Sequence, residues 1–598
     1  LGEKVLLMGN EAIARGAVEA GVQVAAAYPG TPSSEVFSTL AASAKEFGIY
    51  AEWSVNEKVA LEVAAGAAFA GARSIVTMKQ VGLNVAADPL MTLAYIGVKG
   101  GLVLVVADDP GPHSSQNEQD TRHFAKFAKL PVLDPSTPQE AKDMTAAAFG
   151  LSEALGLPVI VRPTTRVSHA CQDVELGEVQ QTQRKPVFEK SPSWVIFPSL
   201  AFQRHQWLNR QQGEMARLYG DLPFNKYVPG GRTGIIAGGV SATYVAEALV
   251  RMVASPSFVK IGTPYPLPEQ PVLDFLRSVD RVIVIEEQDP VIEEQVIELA
   301  WKHRLTVEIA GKKDGSVPAA GEFNVNVVEE VLGKFFGESD SADRKAAPPP
   351  PWPVRTPVLC AGCPHRASFY AFKVAARGTD PVFTGDIGCY TLGTMPPLKA
   401  VDTCLCMGAS ITIASGLEKA EPGRKHVAFL GDSTFFHTGV PGLINAVYNQ
   451  THITVVILDN RTTAMTGHQP HPGLGRTALG GTPEPVDLAK LVAGCGIKFI
   501  REVDPCDHAR AVAAAREALN FPGPAVVIMK RECISLVKRK TRYQVDRDSC
   551  VDCGVCCEEL GCPAIARVGG VEITDNCFGC GICAQICPAE AIREVSTS

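Results

Sequence analysis

Nine of the 18 cysteines lie between Cys550 and Cys587. They form two runs. Cys550, Cys553 and Cys556 precede Cys562-Pro563, and Cys577, Cys580 and Cys583 precede Cys587-Pro588. A cubane needs four thiolates, and in paired runs of this kind the fourth comes from the Cys-Pro of the other run. One [4Fe-4S] cluster is therefore expected on Cys550, Cys553, Cys556 and Cys587, and a second on Cys577, Cys580, Cys583 and Cys562. The exchange of ligands brings the two close enough to pass single electrons. The first run is irregular: five residues separate it from its Cys-Pro, where the second run has three. Cys557 is left over, either a packed thiol or a ligand in place of Cys556. Zinc and disulfides are the alternatives, and this spacing suits them poorly.

A second constellation joins phosphate and metal chemistry. Ala428-Phe-Leu-Gly431-Asp432-Ser433 closes one apolar run, and Val455-Val-Ile-Leu-Asp459-Asn460 closes another. A Gly-Asp turn after a strand lets the backbone approach a phosphate and offers a carboxylate to a divalent ion, and Mg²⁺ prefers such oxygens together with phosphate oxygens. The pair resembles the thiamine diphosphate signature, with Ser433 for its last glycine and Asp459 for its first asparagine. By that resemblance Gly431, Asp432 and Ser433 face the cofactor, and Asp432, the Asn460 side chain and the Thr462 carbonyl hold Mg²⁺. Thiamine chemistry also needs a carboxylate against the aminopyrimidine. Glu57, opening the small-residue stretch Asn56 to Ala68, matches its usual place; Glu52 and Glu62 are local competitors.

These residues need parallel-sheet scaffolds. Lys4–Met8, Ser74–Met78, Leu102–Ala107 and Pro158–Val161 read as strands among Ala-rich helices, a βαβ rhythm of an open parallel sheet. Further strands are expected at Thr233–Gly238, Arg281–Ile285, His426–Leu430 and Ile453–Leu458. The fold class is multidomain α/β, with thiamine-diphosphate-binding type parallel-sheet domains and a C-terminal ferredoxin-like α+β domain for two [4Fe-4S] clusters. The expected domains are 1–180, of pyrimidine-binding type; 181–337, a middle α/β domain; 358–540, of diphosphate-binding type; and 541–598, ferredoxin-like. Between them, residues 338–357 carry four consecutive prolines among small and charged residues and read as a linker.

Composition narrows the class. A 46% hydrophobic, 20% charged chain is ordinary for a globular protein, and its net charge of −8 gives no reason to expect nucleic acid. No apolar run reaches membrane-spanning length and no signal-peptide pattern opens the chain. Clustered rather than dispersed cysteines point to a reducing cytoplasm.

The combination resembles the 2-oxoacid:ferredoxin oxidoreductases along essentially the whole chain. It includes Tyr28-Pro-Gly-Thr-Pro-Ser-Ser-Glu35, Met78-Lys-Gln-Val-Gly-Leu-Asn84, the segment Asp108 to Asp120, Cys360-Ala-Gly-Cys-Pro-His365, the segment Gly385 to Gly393, and the two-run tail. The resemblance implies cleavage of the C1–C2 bond of a 2-oxoacid on thiamine diphosphate, and loss of CO2. The enamine is then oxidised in one-electron steps through the clusters, and coenzyme A takes the acyl group. An arylpyruvate, indolepyruvate first, is the implied substrate; pyruvate, a branched 2-oxoacid and 2-oxoglutarate stay open. Thr31 is the implied substrate-binding residue, with turn capping as its structural alternative, and His113 is a proton donor or polar wall. Lys79, Gln80 and Asn84 could face cofactor or substrate.

The family pattern also implies a third [4Fe-4S] cluster on Cys360, Cys363, Cys389 and Cys533, with Cys404 and Cys406 as nearby alternatives. A smaller beta subunit, a heterotetramer and a soluble ferredoxin docking near Lys538–Arg542 complete the implied assembly. Two other readings compete: a non-oxidative thiamine-dependent lyase or synthase with an appended electron-transfer domain, and a non-catalytic electron-transfer subunit.

Overall fold

The computed structural model describes residues 3–180, 185–337, 356–538 and 541–596. Nearly all of the expected linker, and Arg539 and Lys540 of the expected ferredoxin-docking stretch, lie outside the described residues. The chain divides into two units, Leu1–Pro349 and Pro350–Ser598.

Among the described residues the first unit holds two large sheets and a two-stranded ribbon. Six parallel strands run in the order Tyr50–Trp53, Val24–Ala27, Ser74–Lys79, Leu102–Ala107, Val159–Val161, Val132–Leu133. Leu102–Ala107 is buried at every position, as a strand covered on both faces must be. Lys4–Met8 is a strand but stands outside this sheet. It pairs antiparallel with Cys171–Glu175, and Leu6 is 66% exposed. A run with one wet face forms a two-stranded ribbon rather than a central parallel strand, which corrects the expectation of a single βαβ series. The second sheet orders Glu308–Ala310, Arg281–Ile285, Gly231–Gly238 and Pro256–Ile261 in parallel, with Lys226–Val228 antiparallel at its edge. Apolar clusters cover both its faces, around Ile236 and Val284 on one and Ile235 and Ile283 on the other.

The second unit is built on a five-stranded parallel sheet ordered Val382–Thr384, His426–Gly431, Thr454–Asp459, Ala525–Lys530, Phe499–Val503. Register aligns Gly431 with Leu458, so the residues that leave the two strands, Asp432 and Asp459, emerge side by side. The tail adds an antiparallel pair, Thr541–Val545 with Ile592–Ser596, a hairpin of Ile565–Arg567 and Val571–Ile573, and two single-turn helices, Val555–Glu558 and Ile582–Gln585. Each short helix follows a glycine in the left-handed region, Gly554 and Gly581, both at φ 76°. The repeated Cys-Gly-x-Cys thus turns the same way twice. Phe369, Phe372 and Phe429 of the sheet domain share one core with Leu560, Ile582 and Ile592 of the tail. Among the described residues no helix is long and apolar enough to cross a membrane.

Candidate functional site: a carboxylate pocket and three groups of thiols

The strand ends of the second unit carry the most concentrated chemistry, at the carboxyl edge where open α/β sheets bind ligands. Asp432 and Asp459 are 2% and 3% exposed and hydrogen-bonded to each other. Burial would push Asp432 up, but His471 and the Ser433 amide hold it below the usual carboxylate range. Burial and the neighbouring Asp432 push Asp459 up to about 7. Gly473 N donates to His471 Nδ1 at 3.2 Å, so His471 Nε2 carries the hydrogen and donates to Asp432 Oδ2 at 3.1 Å. Arg461 N donates to Asp432 Oδ2 and Thr462 N to Asn460 Oδ1, so the turn after the second strand closes on the first. Two buried carboxyl groups that share a proton, faced by one imidazole and the more distant Arg461 charge, fit a divalent cation. No group of three His, Cys, Asp or Glu side chains among the described residues makes a metal site by itself. Oxygens of a diphosphate, the Asn460 amide and a main-chain carbonyl are the donors that would complete this one.

Polar groups without partners ring the same edge. His365 is 4% exposed and neither ring nitrogen has a hydrogen-bond partner, and burial pulls its pKa down to about 4. Its ring packs edge-on against Tyr390, whose hydroxyl donates to the Ile387 carbonyl at 2.7 Å. A side chain at Gly431 would strike Tyr390, at 2.8 Å from its Cε1. A cradle floored by glycine and edged by unpartnered imidazole nitrogens suits the polar end of a thiamine cofactor. His365 and Tyr390 lie in quoted segments that give neither a role, no motif marks His471, and Asp459 stands in the signature without a role.

The tail gathers its thiols into two cavities. Cys550, Cys553, Cys556 and Cys587 line one; Cys562, Cys577, Cys580 and Cys583 line the other, together with Cys363. Cys557 lines neither, with its sulfur 3.9 Å from that of Cys556. Burial pushes the Cys556 and Cys363 thiols each up to about 12, whereas a hydrogen bond from Cys506 holds Cys580 down at about 6; a nearby cation such as iron would favour the thiolate at each. The thiolates of a cubane each meet a different iron, so they surround a cavity rather than converge on a point. A third group joins Cys360, Cys363, Cys389 and Cys533. Cys389 lies within electrostatic reach of Cys533 and Cys360, and Cys363 of Cys360. Cys404 and Cys406 are exposed, near Asp386. Cys533 N donates to the Asn460 carbonyl at 3.0 Å, so the carboxylate turn and the third thiol group share a backbone contact.

In the first unit Glu57 is the first residue of the helix Glu57–Phe69, 5% exposed, with Asn56 as N-cap. A Cβ at Gly82 would stand 2.6 Å from its carboxylate oxygen, so glycine there makes room for the carboxylate. Glu62 is exposed and paired with Lys58, and Glu52 accepts from the Tyr50 and Ser54 hydroxyls. Of the three, Glu57 alone is buried. Lys79, pulled down by burial, feels Asp109 and Glu57, and its amine donates to the Ser114 carbonyl. Gln80 is wholly buried with both amide atoms unpartnered. Asn84 exchanges hydrogen bonds with Gln119. The Thr31 carbonyl accepts from Ser114; the following helix begins at Ser34 with Ser33 as N-cap, so Thr31 does not cap it. His113 turns outward: it is 52% exposed and paired with Glu322 at 3.1 Å, in a cleft with Arg166 and His169.

The geometry defines thiamine-type parallel-sheet domains joined to an iron–sulfur module, and known proteins match each part. Residues 15–206 match the thiamine diphosphate-binding domain of pyruvate flavodoxin/ferredoxin oxidoreductases, and 386–529 the C-terminal thiamine pyrophosphate-binding domain of thiamine pyrophosphate enzymes. Residues 230–346 match an indolepyruvate oxidoreductase domain, and 571–593 a 4Fe-4S binding domain. The class is thus a thiamine diphosphate-dependent 2-oxoacid:ferredoxin oxidoreductase carrying iron–sulfur clusters. Indolepyruvate oxidoreductase subunit IorA of Archaeoglobus fulgidus is 44% identical over 100% of this chain and 98% of its own. The subunit of the same name in Pyrococcus horikoshii is 43% identical over 94% and 92%. The 2-oxoglutarate synthase subunit KorA of Methanothermobacter thermautotrophicus is 28% identical, over 29% of this chain and 48% of its own. This chain belongs to the indolepyruvate oxidoreductase subunit IorA family.

Proposed function

We propose that this chain oxidatively decarboxylates an aryl 2-oxoacid, indolepyruvate first. Coenzyme A receives the acyl group, CO2 leaves, and ferredoxin carries away two electrons one at a time. Thiamine diphosphate supplies the electron sink at the keto carbon when bound. Asp432, the Asn460 amide and the Thr462 carbonyl would hold the Mg²⁺ that accompanies the diphosphate, and Asp459 and His471 keep Asp432 in place. Gly431 and Ser433 border the diphosphate. When the cofactor is bound, Glu57 would hold the proton exchanged with its aminopyrimidine, and packing against Gly82 limits where the buried carboxylate can lie. Thr31 binds the carboxylate end of the substrate, and His113, tethered by Glu322, is a polar wall. Three [4Fe-4S] clusters follow the thiol grouping: Cys360, Cys363, Cys389 and Cys533; then Cys562, Cys577, Cys580 and Cys583; then Cys550, Cys553, Cys556 and Cys587.

The observation that carries this reading is the hydrogen bond from Cys533 N to the Asn460 carbonyl. It brings the backbone of a proposed cluster ligand against the proposed metal-binding turn, which supports an oxidative enzyme over a non-oxidative lyase. The choice of indolepyruvate is supported by the names of the relatives, and so is a smaller partner subunit, with a heterotetramer as the assembly in the cytoplasm. The test is anaerobic viologen reduction by the chain with its partner subunit, across a panel of 2-oxoacids, with and without coenzyme A. Indolepyruvate is expected to be fastest and to depend on coenzyme A. Turnover without an electron acceptor would overturn the reading. Glu57→Gln should lower turnover by about 10²–10⁴-fold, the usual weight of a positioned proton-transfer group, at unchanged iron content.

A further inference from the structure

Arg366 is an interior arginine without a carboxylate. It is 5% exposed. Its Nη1 donates to the carbonyls of Leu560 and Gly561 at 3.0 and 2.7 Å, and its Nη2 to that of Leu359 at 2.5 Å. Its Nε has no partner, and among the described residues no carboxylate pairs with it. A guanidinium taken out of water unpaired is costly, so negative charge must face it in the working protein. The strongest charge interactions on it come from the thiols of Cys562, Cys363, Cys580 and Cys360, and Cys363, Cys562 and Cys580 line one cavity with it. Those four belong to two different thiol groups. Gly362 N also donates to the Cys562 sulfur, so the loop of one group is hydrogen-bonded to a ligand of the next. The other nearby cation, Arg531, is already answered by Asp504 at 2.7 Å.

We propose that Arg366 is the shared counter-charge of the two neighbouring cubane sites, and that it raises the reduction potential of both above what their own ligands would set. The inference rests on the cluster assignment proposed above. Each cluster with its four thiolates is anionic, and its negative charge grows by one electron on reduction. A fixed cation stabilises the reduced form more than the oxidised one. When one electron passes between the two sites, one cluster is oxidised by one and the other reduced by one, with no bond or proton moved. The charge stays within reach of the same guanidinium. The outer site on Cys550, Cys553, Cys556 and Cys587 does not share this arginine. The irregular spacing of the first run now has a physical role: Leu560 and Gly561, inside its longer gap, supply two of the three carbonyls that seat Arg366.

The test uses the full chain with its clusters, as wild type, Arg366→Gln and Arg366→Lys, titrated potentiometrically with EPR detection. In Arg366→Gln the reduced-to-oxidised ratio of the two flanking clusters, at fixed poise, should fall about tenfold, or about 59 mV for a one-electron couple. The outer cluster should stay at its wild-type potential, and Arg366→Lys should keep most of the flanking potential. An equal shift of all clusters, or none, at full iron content would overturn the inference. Should Arg366→Gln not fold, Arg366→Lys still decides: a tenfold loss despite the retained charge overturns it. Iron analysis tests the assignment on which the shared role rests. About 12 iron atoms per wild-type chain match three cubanes, whereas about 8 would remove the third-cluster assignment and overturn the shared role of Arg366.

Discussion

In the first unit the buried guanidiniums of Arg122 and Arg162 meet carboxylates, whereas in the second the buried guanidinium of Arg366 meets none. Arg122 binds Asp120 and Glu286, each at 2.6 Å, and the Glu287 and Asp289 carbonyls. Arg162 binds Asp108 at 2.7 Å and Asp134 at 3.1 Å, and also Gln288. Asp108, Asp134, Arg162 and Glu286 leave strand ends of two sheets, Asp120 and Arg122 open the helix Thr121–Ala128, and together they tie those sheets to each other. The second unit has an unanswered cation at Arg366 and an under-answered pair of carboxylates at Asp432 and Asp459. A network closed by the protein's own side chains is structural. One left open at both signs fits charges the polypeptide does not supply: anionic clusters at Arg366, a cation at the carboxylates.

The comparison predicts opposite outcomes for removing a charge from each network. Arg122→Met leaves Asp120 and Glu286 buried without their cation and should cost about 3–5 kcal/mol. The expected result is a large fall in the melting transition, or loss of soluble protein, with iron per folded chain unchanged. A variant melting like the wild type would show that this network holds nothing together. Asp432→Asn should do the reverse to the cofactor-free protein, since it removes one of two crowded carboxylates and keeps an oxygen for the His471 hydrogen. Its melting temperature should hold or rise, while affinity for thiamine diphosphate with Mg²⁺ falls roughly 10–100-fold, the weight of a charged ligand contact. Calorimetric titration reads the second effect, and unchanged affinity would remove Asp432 from the metal site.

What could be read from the chain follows the same division. The two thiol groups in the tail were legible as groups because their pattern is local: three thiols per run and a Cys-Pro a few residues on. Gly431-Asp432 was legible as a turn after an apolar run. His471 was not, because it reaches the carboxylate pocket through the fold and has no motif around it, and His365 closes a cysteine motif that gives it no role until the fold turns it toward the pocket. Arg366 stands one residue beyond a quoted motif and looks like any helix arginine until its partners are seen to be carbonyls and thiols. The five-residue gap was visible as an irregularity, but its use depends on which helix it packs against. Lys4–Met8 was legible as a strand and not as a ribbon, since apolar content does not say which face stays wet.

Glu287 tests the division at its weakest point, since it belongs to the closed network yet is only partly satisfied. Oε1 accepts from Phe323 N at 2.8 Å, Oε2 has no partner, and burial pushes the carboxyl up to about 7. The folded protein therefore holds this proton more tightly than the unfolded chain. Between the usual glutamate value of 4.5 and about 7 the native state binds more protons, so stability falls as pH rises through that window and levels off above it. Glu287→Gln can keep the Phe323 contact and removes the proton. It should flatten the decline by up to about 1.4 kcal/mol per pH unit in the window. Asp108, raised to about 6 chiefly by burial, retains its own share of the slope. Melting from about pH 5 to about pH 8 should then show the variant gaining on the wild type with rising pH. If the two curves run parallel, the Glu287 carboxyl is already matched by a charge inside the network, and the closure of the first unit is more complete than its hydrogen bonds indicate.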